Sequence, residues 1–174
     1  HRGSSAASDV YKRQELEPTI KELPISKALN QIAMKVLSGI GGSSGALFGT
    51  LFMTMAKGEN IDEGVDYKKA IEIFAQGVEA VKQRGKADVG EKTMMDVLIP
   101  VANCLQDGVQ NNKDVNEILS EAIQVAETGM QSTKDLLATK GRASFLGERA
   151  KGHIDPGARS SQLMIKTVCE SVIQ

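Results

Sequence analysis

Three short segments collect glycine, hydroxyl residues and charge at points where apolar helical patterns begin or end, and these segments hold the residues with chemistry in reach. The first is Gly41-Gly42-Ser43-Ser44-Gly45, which leads straight into an apolar run. Unpaired backbone N–H groups, hydroxyls and the positive end of a helix dipole can together hold phosphate; the same five residues also read as a flexible glycine turn. The second runs from Arg84 to Asp96 and is densely charged. Lys92 and Thr93 fall at a helix start with Asp96 one turn in, so a cation, a hydroxyl and a carboxylate can face one end of the molecule; the bland alternative is a solvated connector. The third, Lys140 to Arg149, is followed by Gly152-His153-Ile154-Asp155-Pro156-Gly157. Asp155 as N-cap and Pro156 at the first helical position define a helix start whose N–H groups can point at an anion. Arg142 or Arg149 can add a planar, permanently charged donor fork; a capped surface loop is the competing reading. His153 has no His, Cys or Ser partner at a recognisable spacing and receives no nucleophilic or metal-binding role.

The elements that must carry these loops are helices. From Ser26, a candidate N-cap, the positions Leu29, Ile32, Ala33, Val36 and Leu37 recur at helical spacing until Gly39. Ala46 to Met55 is apolar on nearly all sides, the pattern of a helix enclosed by neighbours. Gly58 to Gly64 reads as a loop. Asp66 caps a third helix with Tyr67, Ala70, Ile71, Phe74, Val78 and Val81 on one face, ended by Gly85. A fourth carries Met94, Val97, Leu98, Val101, Ala102 and Leu105 through Pro100, which leaves the Asp96 carbonyl without its helical donor and predicts a kink there. Asp114 and Glu117 form a capping box for a fifth helix with Ile118, Leu119, Ala122, Ile123, Ala126, Met130 and an extension to Leu137. The sixth starts near Pro156, its apolar residues being Leu163, Ile165, Val168, Cys169 and Val172. No stretch alternates with period two long enough for a strand, and no period of 20 to 50 residues repeats. The fold class is all-α, an antiparallel helical bundle joined mostly by short loops.

Composition agrees and narrows the partners. Of the 174 residues 41% are hydrophobic but only 3% aromatic, so the core must be built from Leu, Ile, Val, Ala and Met, as in helix bundles. A net charge of −1, with no basic cluster interleaved with aromatics, gives no nucleic-acid surface. Cys104 and Cys169 lie far apart in apolar helical patterns and read as buried, reduced thiols. No apolar run is long enough for a membrane span and no signal-peptide core opens the chain, so a cytoplasmic protein without membrane contact is expected.

The first fourteen residues stand apart. Ser4 to Gln14, SSAASDVYKRQ, has neither periodicity nor turn logic; written as codons it resembles a translated transposase-type sequencing-library adapter along its whole length. Residues 1–14 are therefore expected to be a non-native, adapter-derived tail, and residues 15–174 one domain that is incomplete at its N-terminus.

Taken together, GGSSGALFGTLF (residues 41–52), RGKADVGEKTMMD (84–96) and KGRASFLGERAKGHIDPGA (140–158) resemble the ADP-binding subunit of phosphotransferase-dependent dihydroxyacetone kinase and the matching C-terminal domain of the single-chain, ATP-dependent enzymes. The resemblance implies a closed barrel of eight antiparallel helices, about six of which remain here, with nucleotide bound at one end. It implies that Gly42, Ser43 and Ser44 contact the phosphates, that Gly85, Thr93 and Met94 surround the nucleotide, and that Arg142 and the turn Asp155-Pro156-Gly157 complete the site. Arg142 would also neutralise charge developing on the phosphoryl group. ADP or ATP is the implied cofactor, with Mg²⁺ held in intact members by an Asp-rich GDxDxG segment that nothing here matches, so no metal residue is assigned.

The implied partners are a dihydroxyacetone-binding kinase subunit and, in the phosphotransferase branch, a phosphohistidine carrier protein. The donor branch stays open at this point. Loss of two helices from a closed barrel predicts exposed apolar faces and self-association, inactivity of the fragment alone, and possible homo-oligomers. Two rivals stand beside the kinase reading: a related kinase with another acceptor such as a fatty acid, and a non-catalytic helical interaction module.

Overall fold

In a computed structural model that describes residues 23–174, amphipathic periodicity and well-placed caps fold the described residues into six α-helices. The expectation for residues 1–14 lies outside the described residues. The helices are α1 (Ile25–Gly39), α2 (Gly42–Ala56), α3 (Tyr67–Gly85), α4 (Met95–Gln110), α5 (Val115–Ser132) and α6 (Pro156–Val172). Short 3-10 turns at Ile61–Glu63, Thr133–Asp135 and Arg142–Ala150 join them, and no strand occurs among the described residues. Each helix packs against the next, and α4 also reaches α6. No described helix is long and apolar enough to cross a membrane.

Two apolar clusters fill the interior. One gathers Val97, Val101, Ile118, Ala122, Ala126 and Met130 from α4 and α5 with Ile165 and Cys169 of α6. The other joins Phe48 and Leu51 of α2 to Val78 and Val81 of α3 and to Met94, Met95 and Leu98. The near-absence of aromatic side chains is thus made good by branched aliphatics and methionine, which fill irregular gaps between helices. Both cysteines are free thiols, Cys169 buried and Cys104 half-buried, and burial pushes both above the usual thiol range.

Several local expectations are corrected. Ser26 is not a cap: the N-cap of α1 is Pro24, and the backbone N–H and hydroxyl of Ser26 both donate to the Asp62 carboxylate, tying α1 to the Ile61–Glu63 turn. The apolar run expected from Ala46 starts earlier, since Gly42 to Gly45 form the first turn of α2 rather than a loop before it. Tyr67 and Ala70 are exposed, leaving Ile71, Val78 and Val81 buried and Phe74 half-buried on that face of α3. Asp114 accepts from Asn116 N–H at 3.0 Å, which makes it an ordinary cap, and α5 stops at Ser132 before reaching Leu137.

The largest difference is in α6. Its buried stripe is Ala158, Ser161, Gln162, Ile165 and Cys169, whereas Leu163, Val168 and Val172 are exposed. Helical spacing through 158, 161, 162, 165 and 169 selects one face, and two polar residues fall on it; of the apolar residues expected to serve the core, Ile165 and Cys169 do so. Met34 and Leu37 of α1 and its C-cap residue Ile40 are likewise exposed.

Candidate functional site

At one end of the bundle a cleft of about 700 Å³ opens between the N-termini of α2 and α6 and the loop before α4. All three chemistry-bearing segments meet there. Gly42, Ser43, Ser44, Gly85, Thr93, Met94, Asp155, Pro156 and Gly157 all line it. Arg142 opens a 3-10 segment between Gly141 and Ala143, both of which line the cleft, while its side chain lies outside the described residues. Arg149 and His153 do not line it.

The N-terminus of α2 reaches the cleft without a side-chain cap. Gly41 is the extended N-cap residue and no side chain accepts from the first turn, so its backbone donors face outward unclaimed by any cap. Gly42 enters the helix with φ +70°. Gly45 allows the α1–α2 turn to close, because a Cβ there would stand 2.1 Å from the carbonyl oxygen of Ile40. An uncapped, glycine-opened helix start flanked by Ser43 and Ser44 offers an anion both N–H groups and hydroxyls.

The N-terminus of α6 has the expected cap and first-position proline, but its donors are already engaged. Asp155 caps it, accepting from Ala158 N–H at 2.9 Å, and Pro156 has no N–H to offer. The helix donors are therefore met first by the Asp155 carboxylate rather than left for a ligand. Burial pushes that carboxyl above the ordinary range, partly offset by the Ala158 hydrogen bond and the nearby Lys92 ammonium.

The loop before α4 is folded by its own side chains. Asp96 is buried and turns its carboxylate back to accept from Gly90 N–H at 2.6 Å and Thr93 N–H at 2.9 Å. Thr93 Oγ1 in turn accepts from Met95 N–H at 3.0 Å. The expected trio of Lys92, Thr93 and Asp96 facing a ligand is thus only partly formed: Asp96 shapes the loop, and the Lys92 ammonium donates to the carbonyls of Thr133 and His153. Met94 is buried beneath Gly157, its side chain 3.4 Å from where a Cβ of residue 157 would lie.

Sequence reasoning missed several wall residues. Leu47, Val81, Ala87 and Met95 add an apolar side suited to a flat ring, and Arg84 and Lys140 add positive charge at the mouth. Leu47 lies four residues past Ser43, one helical turn on, and that spacing was a usable signal. Val81 and Ala87 had none, since only packing of α3 on α2 brings them in. Arg84, Lys92 and Lys140 against the single carboxylate Asp155 give the described lining a positive balance, which favours an anionic ligand.

A family model described as the DAK2 domain matches residues 1–170. The chain is 40% identical over 149 residues to the PEP-dependent dihydroxyacetone kinase, ADP-binding subunit DhaL, of Escherichia coli (strain K12), covering 86% of this chain and 71% of the relative. It is 41% identical over 140 residues to the corresponding ADP-binding subunit DhaL of kinase 1 of Listeria innocua serovar 6a, covering 80% of this chain and 65% of that one. Among solved structures, the dihydroxyacetone kinase from C. freundii in complex with AMP-PNP and Mg²⁺ superposes with a TM-score of 0.59 at 25% identity, covering 85% of this chain and 23% of the kinase.

Proposed function

The chain belongs to the DAK2 domain family, and from that premise we propose that it is the nucleotide-binding part of a dihydroxyacetone kinase, holding ADP or ATP in the cleft between α2, α4 and α6. The observation that carries this reading is the convergence of three sequence-distant segments on one cleft with an uncapped helix start, an apolar wall and a positive balance. An apolar slot beside anion-binding donors is what a base joined to phosphates requires.

In this proposal the first turn of α2, with Ser43 and Ser44, receives the phosphates. Leu47, Val81 and Met94 pack against the base, and Arg142 of the third segment is assigned the role of balancing charge on the transferred group. The protein's part is electrostatic positioning rather than nucleophilic catalysis. The phosphotransferase branch is favoured because the chain is 40% and 41% identical to ADP-binding subunits of PEP-dependent kinases, against 25% to the solved kinase. On this reading ADP stays bound, a phosphohistidine carrier protein phosphorylates it, and a dihydroxyacetone-binding subunit receives the group in the cytoplasm.

The solved relative was crystallised with Mg²⁺. Among the described residues no three His, Cys, Asp or Glu side chains cluster as a metal-binding group, and Asp155, the carboxylate of the cleft lining, is engaged by the amides of α6. These residues do not fit a magnesium centre by themselves.

The test is calorimetric titration of the protein with ADP, paired with thermal melts. Binding, with a melting temperature that rises with ADP concentration, is expected. No heat and no shift would remove the nucleotide reading and favour an interaction module.

A further inference from the structure

Lys92 is an unusual residue to find inside a protein. Only 5% of it is exposed, its backbone sits in the left-handed region at φ +61°, and no carboxylate lies within ion-pair distance of it among the described residues. Each feature is unfavourable alone: a buried ammonium loses hydration, and a left-handed residue with a side chain is strained. Such a combination persists where surrounding structure over-determines it.

What surrounds it is a clasp between segments far apart in the chain. The ammonium donates to the carbonyl of Thr133, just past α5, and to that of His153, just before α6. The Thr133 side chain, fully buried, closes the other side: its hydroxyl donates to the Met130 carbonyl and accepts the N–H of Asp155 at 3.0 Å. Gly152 N–H adds a bond of 2.7 Å to the Lys134 carbonyl. The loop carrying Thr93 and Met94 is thereby locked to the turn carrying Asp155, Pro156 and Gly157, and both halves line the cleft.

We propose that Lys92 is a positioning residue for the bound phosphates: its clasp on the Thr133 and His153 carbonyls sets the wall formed by Asp155–Gly157, and its charge offsets the Asp155 carboxylate beside the anion. The direct partners of the ammonium are neutral carbonyls rather than a carboxylate, so no close ion pair ties it up in the wall of the cleft. This inference rests on the nucleotide reading above.

The experiment compares wild type, Lys92→Met and Lys92→Arg in the full chain, titrating each with ADP and with adenosine. Loss of charge-assisted positioning should weaken ADP binding about tenfold or more in Lys92→Met, with a smaller change for adenosine and partial recovery in Lys92→Arg. Unchanged ADP affinity, or equal losses for ADP and adenosine, would overturn the proposal. Amide exchange of the wild type gives a reading that survives poor folding of the variant: ADP should slow residues 92–94 together with residues 155, 157 and 158, and protection of only one group overturns the coupling. Failure of wild type to bind ADP would instead overturn the nucleotide reading itself.

Discussion

Gly129 of α5 faces the carbonyl oxygen of Asp96 at the start of α4 so closely that a Cβ at residue 129 would stand 2.2 Å from it. That carbonyl is the one that Pro100, lacking an N–H, leaves without its helical donor. Pro100 lies inside the helix Met95–Gln110, and the orphaned carbonyl is turned toward a glycine in the neighbouring helix.

Gly129→Ala should therefore force α5 away from α4. Relief of helix-interior glycine entropy would favour alanine by up to about 1 kcal/mol, but the obstacle is backbone and cannot rotate away. A net destabilisation of about 1–3 kcal/mol is expected from overpacking, measured by urea unfolding. A stabilised variant would show that the two helices separate freely.

Arg142→Ala tests the third segment. If the guanidinium supplies a charged hydrogen bond to phosphate, ADP affinity should fall by about 1.5–3 kcal/mol, with little change in melting temperature of the ligand-free protein. Calorimetric titration decides it, and an unaltered affinity removes Arg142 from the site.

Asp155 gives a pH signature. Burial raises its pKa in the folded state, so the folded protein holds this proton more tightly than the unfolded chain does. Its contribution to stability is fully present below the unfolded value of about 3.9 and is lost as pH rises through the higher folded value. Asp155→Asn keeps a side-chain acceptor for the Ala158 N–H and does not titrate. The stability of wild type relative to this variant should decline from pH 3 upward, as read from urea midpoints; a difference that grows with pH would mean that the carboxylate is favoured in the folded state.

The sequence by itself determined the helices and which loops mattered. Helical periodicity, Asp66 and Asp155 as N-caps, Pro156 at a first position and Gly85 at an end are local signals, because each acts within a turn of its own residue. The three glycine- and charge-bearing segments were legible for the same reason, and the structure gathers them at one cleft. Tertiary structure decided what their side chains do. Lys92 bonds carbonyls 41 and 61 residues away, Ser26 bonds Asp62 rather than capping its own helix, and α6 buries Ser161 and Gln162 in place of Leu163 and Val168. A backbone carbonyl has no residue-type signature, and the face a helix buries depends on where its neighbours stand, so neither is written in local spacing.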